Sequence, residues 1–291
     1  MENDVNALAN AMVAAKKISG QWPLNELLAI FDTLTTYDVR IKAKTARIKK
    51  FTTSAFIAFA VSIVLTIIVA NIAPTFGGVT IALMVITLVG GIIGAILKSR
   101  CQKQDLRNEF RAYVRPLLEH LQDDLKKDSP VNLELDLSPV EQKQFRKGKS
   151  DPYSAGIYHK CYDEHFERNF LTLKLRLSDG NRLMLTGAEF LTKTSKTKKN
   201  PRGKLKTKTI HKKRVLFDAR LIVEPENFGC KQLPTRGTQK FYAKQSNGNT
   251  ILGVKFAEKF KGAPVEMVPD PFLTLQQIVT LYTFLDAKTV S

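Results

Sequence analysis

A membrane α-hairpin joined to an α+β domain built mainly of antiparallel sheet is the fold class this chain predicts, and three observations carry it. Residues 51–97 run for 47 positions without one charged side chain. From about residue 131 the apolar residues change from helical spacing to strict alternation, with turn sequences between the alternating runs. A last helical face, Leu275, Ile278, Val279, Tyr282 and Leu285, follows Pro269 and Pro271. The predicted organisation is a cytoplasmic helical preface over 1–50, a two-helix transmembrane hairpin over 51–97, a membrane-proximal amphipathic helix over 98–127 and a cytoplasmic β-rich domain over 128–291. That domain is expected as a barrel or sandwich whose last helix plugs or covers the sheet.

In the preface, Val5, Leu8, Met12, Ala15 and Ile18 recur at helical spacing, with Asn3 or Asp4 to cap the start and Gly20 to end it. A second helix is expected from Pro23, carrying Leu24, Leu27, Leu28, Phe31 and Leu34, and it turns strongly basic from Tyr37 to Lys50. Trp22 reads as a packing residue or an anchor at a membrane interface.

As one helix the apolar run would be about 70 Å long at ~1.5 Å per residue, against a hydrocarbon core of ~30 Å, so it must fold back on itself. Ala73-Pro74-Thr75-Phe76-Gly77-Gly78 supplies the break, leaving spans at 51–73 and 79–97. Arg40, Lys42, Lys44, Arg47, Lys49 and Lys50 precede the first span, and Lys98, Arg100, Lys103, Arg107, Arg111 and Arg115 follow the second. The positive-inside rule then places both termini in the cytoplasm, and the expected location is an inner (plasma) membrane of bacterial type. Ser54, Ala58 and Ser62 on one span, and Gly90 and Gly94 on the other, form narrow faces suited to packing within the hairpin, to a homo-oligomer contact or to lining a pore. Neither span holds an ionisable residue, which argues against a proton or ion relay.

Beyond the second span the helical pattern continues without a stop. Leu106, Phe110, Tyr113, Leu117, Leu121 and Leu125 form one stripe, kinked at Pro116, for which the preface is the expected partner. Strands follow at Val131–Leu137, at Leu171–Leu177 turning through Ser178-Asp179-Gly180-Asn181 into Arg182–Phe190, and at Val215–Val223. Two more, Lys240–Gln245 and Thr250–Ala257, are joined by Ser246-Asn247-Gly248-Asn249.

Net charge is +18, and residues 193–214 hold eleven Lys or Arg with no acid in 22 positions: Lys193, Lys196, Lys198, Lys199, Arg202, Lys204, Lys206, Lys208, Lys212, Lys213 and Arg214. Thr and Lys alternate on both sides of Asn200-Pro201-Arg202-Gly203, which predicts a protruding two-stranded ribbon with Leu185, Phe190, Phe217 and Leu221 in the core at its base. Such an excess fits anionic partners: membrane lipid, nucleic acid or an acidic protein face.

Tyr158 to His165 places His159, Cys161, Asp163, Glu164 and His165 close together, yet the spacing matches no zinc signature and is expected to lie in an ordinary loop or helix. Cys101, Cys161 and Cys230 are odd in number and scattered, so no disulfide framework is predicted. No phosphate loop, dinucleotide fingerprint, HExxH or GxSxG occurs, and the sequence calls for no catalytic residue, metal or cofactor. The leading reading is a membrane-anchored binding module whose ribbon engages anionic lipid or nucleic acid. Two others stand beside it: an oligomeric channel or membrane-disrupting effector gated by the β domain, and a membrane-bound enzyme using the His159, Cys161 and His165 segment.

Overall fold

The computed structural model describes residues 2–72, 77–104, 106–224, 228–231, 240–246, 248–262 and 267–287. The chain divides into two compact units, Asp32–Leu106 and Met1–Phe31 with Arg107–Ser291.

The first unit is a pair of helices long and apolar enough to cross a membrane. Helix α2 (Leu24–Ile72) comes after α1 (Glu2–Ala15) and runs for 49 residues without a glycine or proline to interrupt it, so the preface from Leu24 onward and the first apolar stretch are one helix. Helix α3 is Gly77–Gln104. Of the expected break at 73–78, residues 73–76 lie outside the described residues, and Gly77 and Gly78 already belong to α3. Ile57, Ile67, Val79 and Ile86 are each at least 60% exposed, an apolar surface that water does not tolerate and hydrocarbon does. Thr52, Ser62 and Thr66 donate their hydroxyls to carbonyls of their own helix, so these three groups do not need water.

The helices meet at Thr52 and Ser62 on one side and Gly91 and Gly94 on the other, all buried. A Cβ on Gly94 would stand 2.5 Å from Thr52 Oγ1, and one on Gly91 would stand 3.2 Å from the Phe56 ring. Gly90 is only in loose contact with Phe51, and Ser54 and Ala58 face outward. The glycine face of α3 is therefore covered by α2 within the hairpin.

Helix α3 runs past the expected span end at residue 97 but closes at Gln104, instead of continuing through 98–127 as the sequence pattern suggested. The chain resumes as a π-helical turn, Phe110–Val114, followed by α4 (Arg115–Leu121). Pro116 explains the wide turn: it has no N–H to offer the carbonyl four residues back, and its ring crowds that carbonyl.

The second unit is a nine-stranded sheet in the order β1-β2-β5-β6-β7-β10-β9, with β3 and β4 both paired to β5. The strands are β1 (Lys17–Trp22), β2 (Val131–Asp136), β3 (Arg146–Lys149), β4 (Tyr153–Ala155), β5 (Tyr158–Arg176), β6 (Arg182–Lys199), β7 (Leu205–Val223), β9 (Lys240–Ser246) and β10 (Asn249–Lys261). A separate pair joins β8 (Phe228–Cys230) to β11 (Leu285–Ala287). The sheet is open, with β1 and β9 as its ends, which corrects the expected barrel or sandwich. Its apolar face is covered by helices, so closure is not required to bury it.

On that inner face Phe217 stacks between Tyr113 (5.1 Å between centroids) and Phe256 (5.2 Å), while the Tyr113 hydroxyl lies 2.7 Å from Thr274 Oγ1 of α5 (Pro271–Tyr282). The stripe on 110–121 is thus partnered by the sheet and α5, together with Phe31, whose ring lies 6.1 Å from Phe110. Gly187 leaves room for two rings, since a Cβ there would stand 2.8 Å from Phe170 and 3.1 Å from Phe217.

Two strands depart from the sequence reading. Lys17–Trp22 is an edge strand on β2, and Trp22 is buried over Gly20, not placed at an interface. Strand β5 begins at Tyr158, so the His159–His165 segment is neither loop nor helix. A bulge between Asn169 and Leu171 shifts the alternation, so that Phe166 and Arg168 face inward before it and Leu171 and Leu173 after it. A single alternating phase cannot reveal such a strand.

Candidate polyanion-binding face

Beyond the core, β6 and β7 run on to a tight turn. Gly203, at φ +79°, donates its N–H to the Asn200 carbonyl (2.8 Å), and the Asn200 N–H reaches the Lys204 carbonyl (2.8 Å). Strand β5 flanks β6 as far as the Lys160–Thr197 pair, so the arm is three-stranded over most of its length, and the expected two-stranded form is confined to its tip.

The pleat sorts the basic residues onto two unlike faces. The outer face, opposite the core, carries Lys196 directly across from Lys208 and Lys198 across from Lys206. Strand β10 extends it, with Lys261 opposite Lys212 and Lys259 opposite Arg214. Eight cations therefore stand in four directly opposed like-charge pairs, an arrangement that destabilises a sheet unless a counter-charge is supplied. Of the acids on this face, Asp163 is engaged by the hydroxyls of Thr194 and Tyr153, and Glu167, across from Phe190 in the Arg214 row, faces Lys147 at 4.0 Å.

The inner face is neutralised from within. Glu141 lies 3.6 Å from Lys193 and 3.0 Å from His211. Lys199, Arg202 and Lys204 are exposed at the tip. Lys213 is buried and belongs to a different structure, a cluster of Arg107, Glu109, Arg168, Glu189 and Lys213 at the base of the arm. Arg168 Nη2 lies 2.6 Å from Glu189 Oε2 and 3.2 Å from Glu109 Oε1. Arg107 and Lys213 approach Glu189 Oε1 at 3.1 and 2.9 Å. Arg168 also donates to the carbonyls of Asp136 and Ser138, and Lys213 to that of Met267.

Burial works against the charged form of Glu189, but Arg168, Arg107 and Lys213 outweigh it and hold the carboxyl below its ordinary range. For Lys213 burial wins and lowers the ammonium, with Glu189 pulling the other way. Sequence reasoning missed this cluster because its members lie far apart along the chain. The signal was Glu189 interrupting the inward series Leu183, Leu185, Gly187, Leu191. Leu185, Phe217 and Leu221 are fully buried, but Phe190 lies half-buried on the outer face, beside Arg214.

His159, Cys161, Asp163 and His165 alternate along one face of β5. Cys161 is buried, Asp163 is held by two hydroxyls, and His165 Nδ1 is 3.3 Å from Thr192 Oγ1. Among the described residues no three such side chains converge in a way that could hold a metal ion.

Comparison of the chain with protein-family models, curated proteins and solved structures finds no match, so the reading of this face rests on its own geometry.

Proposed function

We propose that the chain is a membrane-anchored module whose outer sheet face docks on anionic phospholipid headgroups. The observation that carries this is the set of four directly opposed cation pairs, Lys196–Lys208, Lys198–Lys206, Lys212–Lys261 and Arg214–Lys259; the acid that shares a row with one of them, Glu167, is separated from Arg214 by Phe190 and faces Lys147 at 4.0 Å. Seven of the eight are Lys, whose compact charge suits a diffuse anionic surface, whereas Arg is the residue of choice for bidentate reading of nucleic acid. The aromatic side chains in those rows are the half-buried Phe190 and Tyr153, whose hydroxyl is given to Asp163, while single-stranded nucleic acid binding relies on several exposed aromatic platforms. Each Lys or Arg near an anionic leaflet is worth ~1 kcal/mol, and an apolar hairpin in the bilayer raises the local concentration of the face.

The full chain, held in nanodiscs of neutral phosphatidylcholine, should sediment with vesicles containing phosphatidylglycerol at ~150 mM salt and be released at ~1 M, where the Debye length is ~3 Å. It should not sediment with neutral vesicles. Stronger binding to duplex DNA or RNA under the same conditions, with log affinity falling against log salt at about −0.9 per phosphate, would move the assignment to nucleic acid.

The proposed topology has both termini in the cytoplasm. Cys230 is the exposed cysteine, whereas Cys101 and Cys161 are buried, so Cys230 is the reporter. A membrane-impermeant maleimide should leave it unlabelled in intact cells and label it after permeabilisation. Labelling without permeabilisation would place the β unit outside.

A further inference from the structure

We infer that the groove on the outer sheet face beside Arg214 and Lys259 is a binding site for a phosphorylated polyol, the headgroup of a glycerol- or inositol-bearing phospholipid. The inference deepens the lipid reading above and rests on it.

Four strands contribute one polar row across the sheet: Thr172 of β5 opposite Thr186 of β6, Thr186 opposite Asp218 of β7, and Asp218 opposite Lys255 of β10. The neighbouring row is small or flat, with Ala188, Leu216 and Ala257 in register. Together they form a depression of 330 Å³ lined by Asn169, Thr172, Thr186, Ala188, Leu216 and Asp218. The row beyond is Glu167, Phe190, Arg214 and Lys259, where the cationic face begins on the β7–β10 side, away from Glu167 at the β5 end.

Asp218 is fixed in place. Gly253 has no side chain, so the Tyr242 ring lies over it, where a Cβ would stand 2.2 Å from the ring. That lets Tyr242 reach across β10 and donate its hydroxyl to Asp218 Oδ1 at 2.7 Å, while Arg220 Nη2 holds Oδ2 at 2.6 Å. Burial, with the Asp218 contact, pushes the Tyr242 hydroxyl up to about 12, so it stays a donor. A carboxylate has about four lone-pair sites, so acceptor capacity remains. Among the described residues neither Thr172 nor Thr186 gives its hydroxyl to another side chain.

Hydroxyls, an amide and an anchored carboxylate recognise the hydroxyl groups of a ligand and repel its phosphate. Arg214, Lys259 and Lys212 do the reverse. The order along β7, acceptor then flat floor then cations, therefore fits a ligand with a hydroxylated part joined to a phosphate.

The test uses the full chain in neutral nanodiscs and vesicles of equal mole fraction in phosphatidylglycerol, phosphatidylinositol or phosphatidylethanol. All three lipids carry one negative charge, and the last has no free hydroxyl. Binding to the first two should be about 5-fold tighter or more, the value of one net hydrogen bond. In a Thr172→Val/Thr186→Val variant that preference should vanish while binding to phosphatidylethanol is unchanged. Soluble glycerol phosphate or inositol phosphate that displaces the vesicles supports the site and shows that a membrane source is not required. Equal binding of all three vesicle types by the native chain overturns the inference and leaves the lipid reading standing. So does a double variant that weakens all three alike. Absence of binding to every vesicle overturns both.

Discussion

Replacing Glu189 with Ala should cost the β unit about 3–5 kcal/mol, the penalty of leaving buried charges without their counterion. Glu189 is 1% exposed and lies between Arg168, Arg107 and Lys213, three cations that share only Glu109 as a second carboxylate in the cluster. Its removal leaves Arg168, itself 1% exposed, with one carboxylate and two carbonyls for a full buried charge. The full chain in mild detergent can be unfolded with guanidinium while the emission of its single Trp is followed, since Trp22 is buried in β1 and its environment is lost when the sheet opens. Glu164→Ala provides the comparison. Glu164 faces the half-exposed Arg146 at 3.3 Å, and an exposed pair is worth at most about 1 kcal/mol.

The sign with pH follows from the same geometry. The folded carboxyl of Glu189 titrates below its unfolded value, so its contribution is fully present above the unfolded pKa of roughly 4.3 and is lost as pH falls through the folded one. The native protein should lose stability on acidification below about pH 4 more steeply than Glu189→Ala, which has already lost that contribution. A variant that melts within 1 kcal/mol of the native chain would mean the cluster is not held by this residue.

What the sequence made legible is what local pattern encodes. An uncharged run of 47 residues encodes two apolar helices of membrane-spanning length, and Ser178–Asn181 between alternating leucines admits little but a hairpin turn. What stayed hidden depends on partners distant in the chain. Lys17–Trp22 has no clear alternation of its own and becomes a strand through pairing with Val131–Asp136, more than a hundred residues on. The Asn169 bulge disguised half of β5 by inverting its phase. The open sheet was not readable as such, because the same alternating strands serve a barrel, a sandwich or a helix-covered layer. The basic run was visible as composition, but its two faces were not. Lys259 and Lys261 join the outer face through the register of β10, and the pleat puts Lys213 on the inner face, where it meets Glu189.

That division of faces sets the largest binding effect expected. Changing Lys196, Lys198, Lys206 and Lys208 to Gln together should weaken binding to phosphatidylglycerol vesicles by about 4 kcal/mol, roughly a thousandfold, at ~1 kcal/mol per cation near the surface. The same variant should unfold at equal or higher denaturant, because two directly opposed lysine pairs are relieved of their repulsion, so lost binding cannot be put down to lost structure. The informative comparison is Lys193→Gln with Lys199→Gln, two charges on the other face, the first already faced by Glu141. If the outer face is the docking surface, the loss per lysine should be several-fold smaller there. Equal losses per charge on both faces would show that vesicles respond to net charge alone, and the specific arrangement of the four pairs would then have no part in recognition.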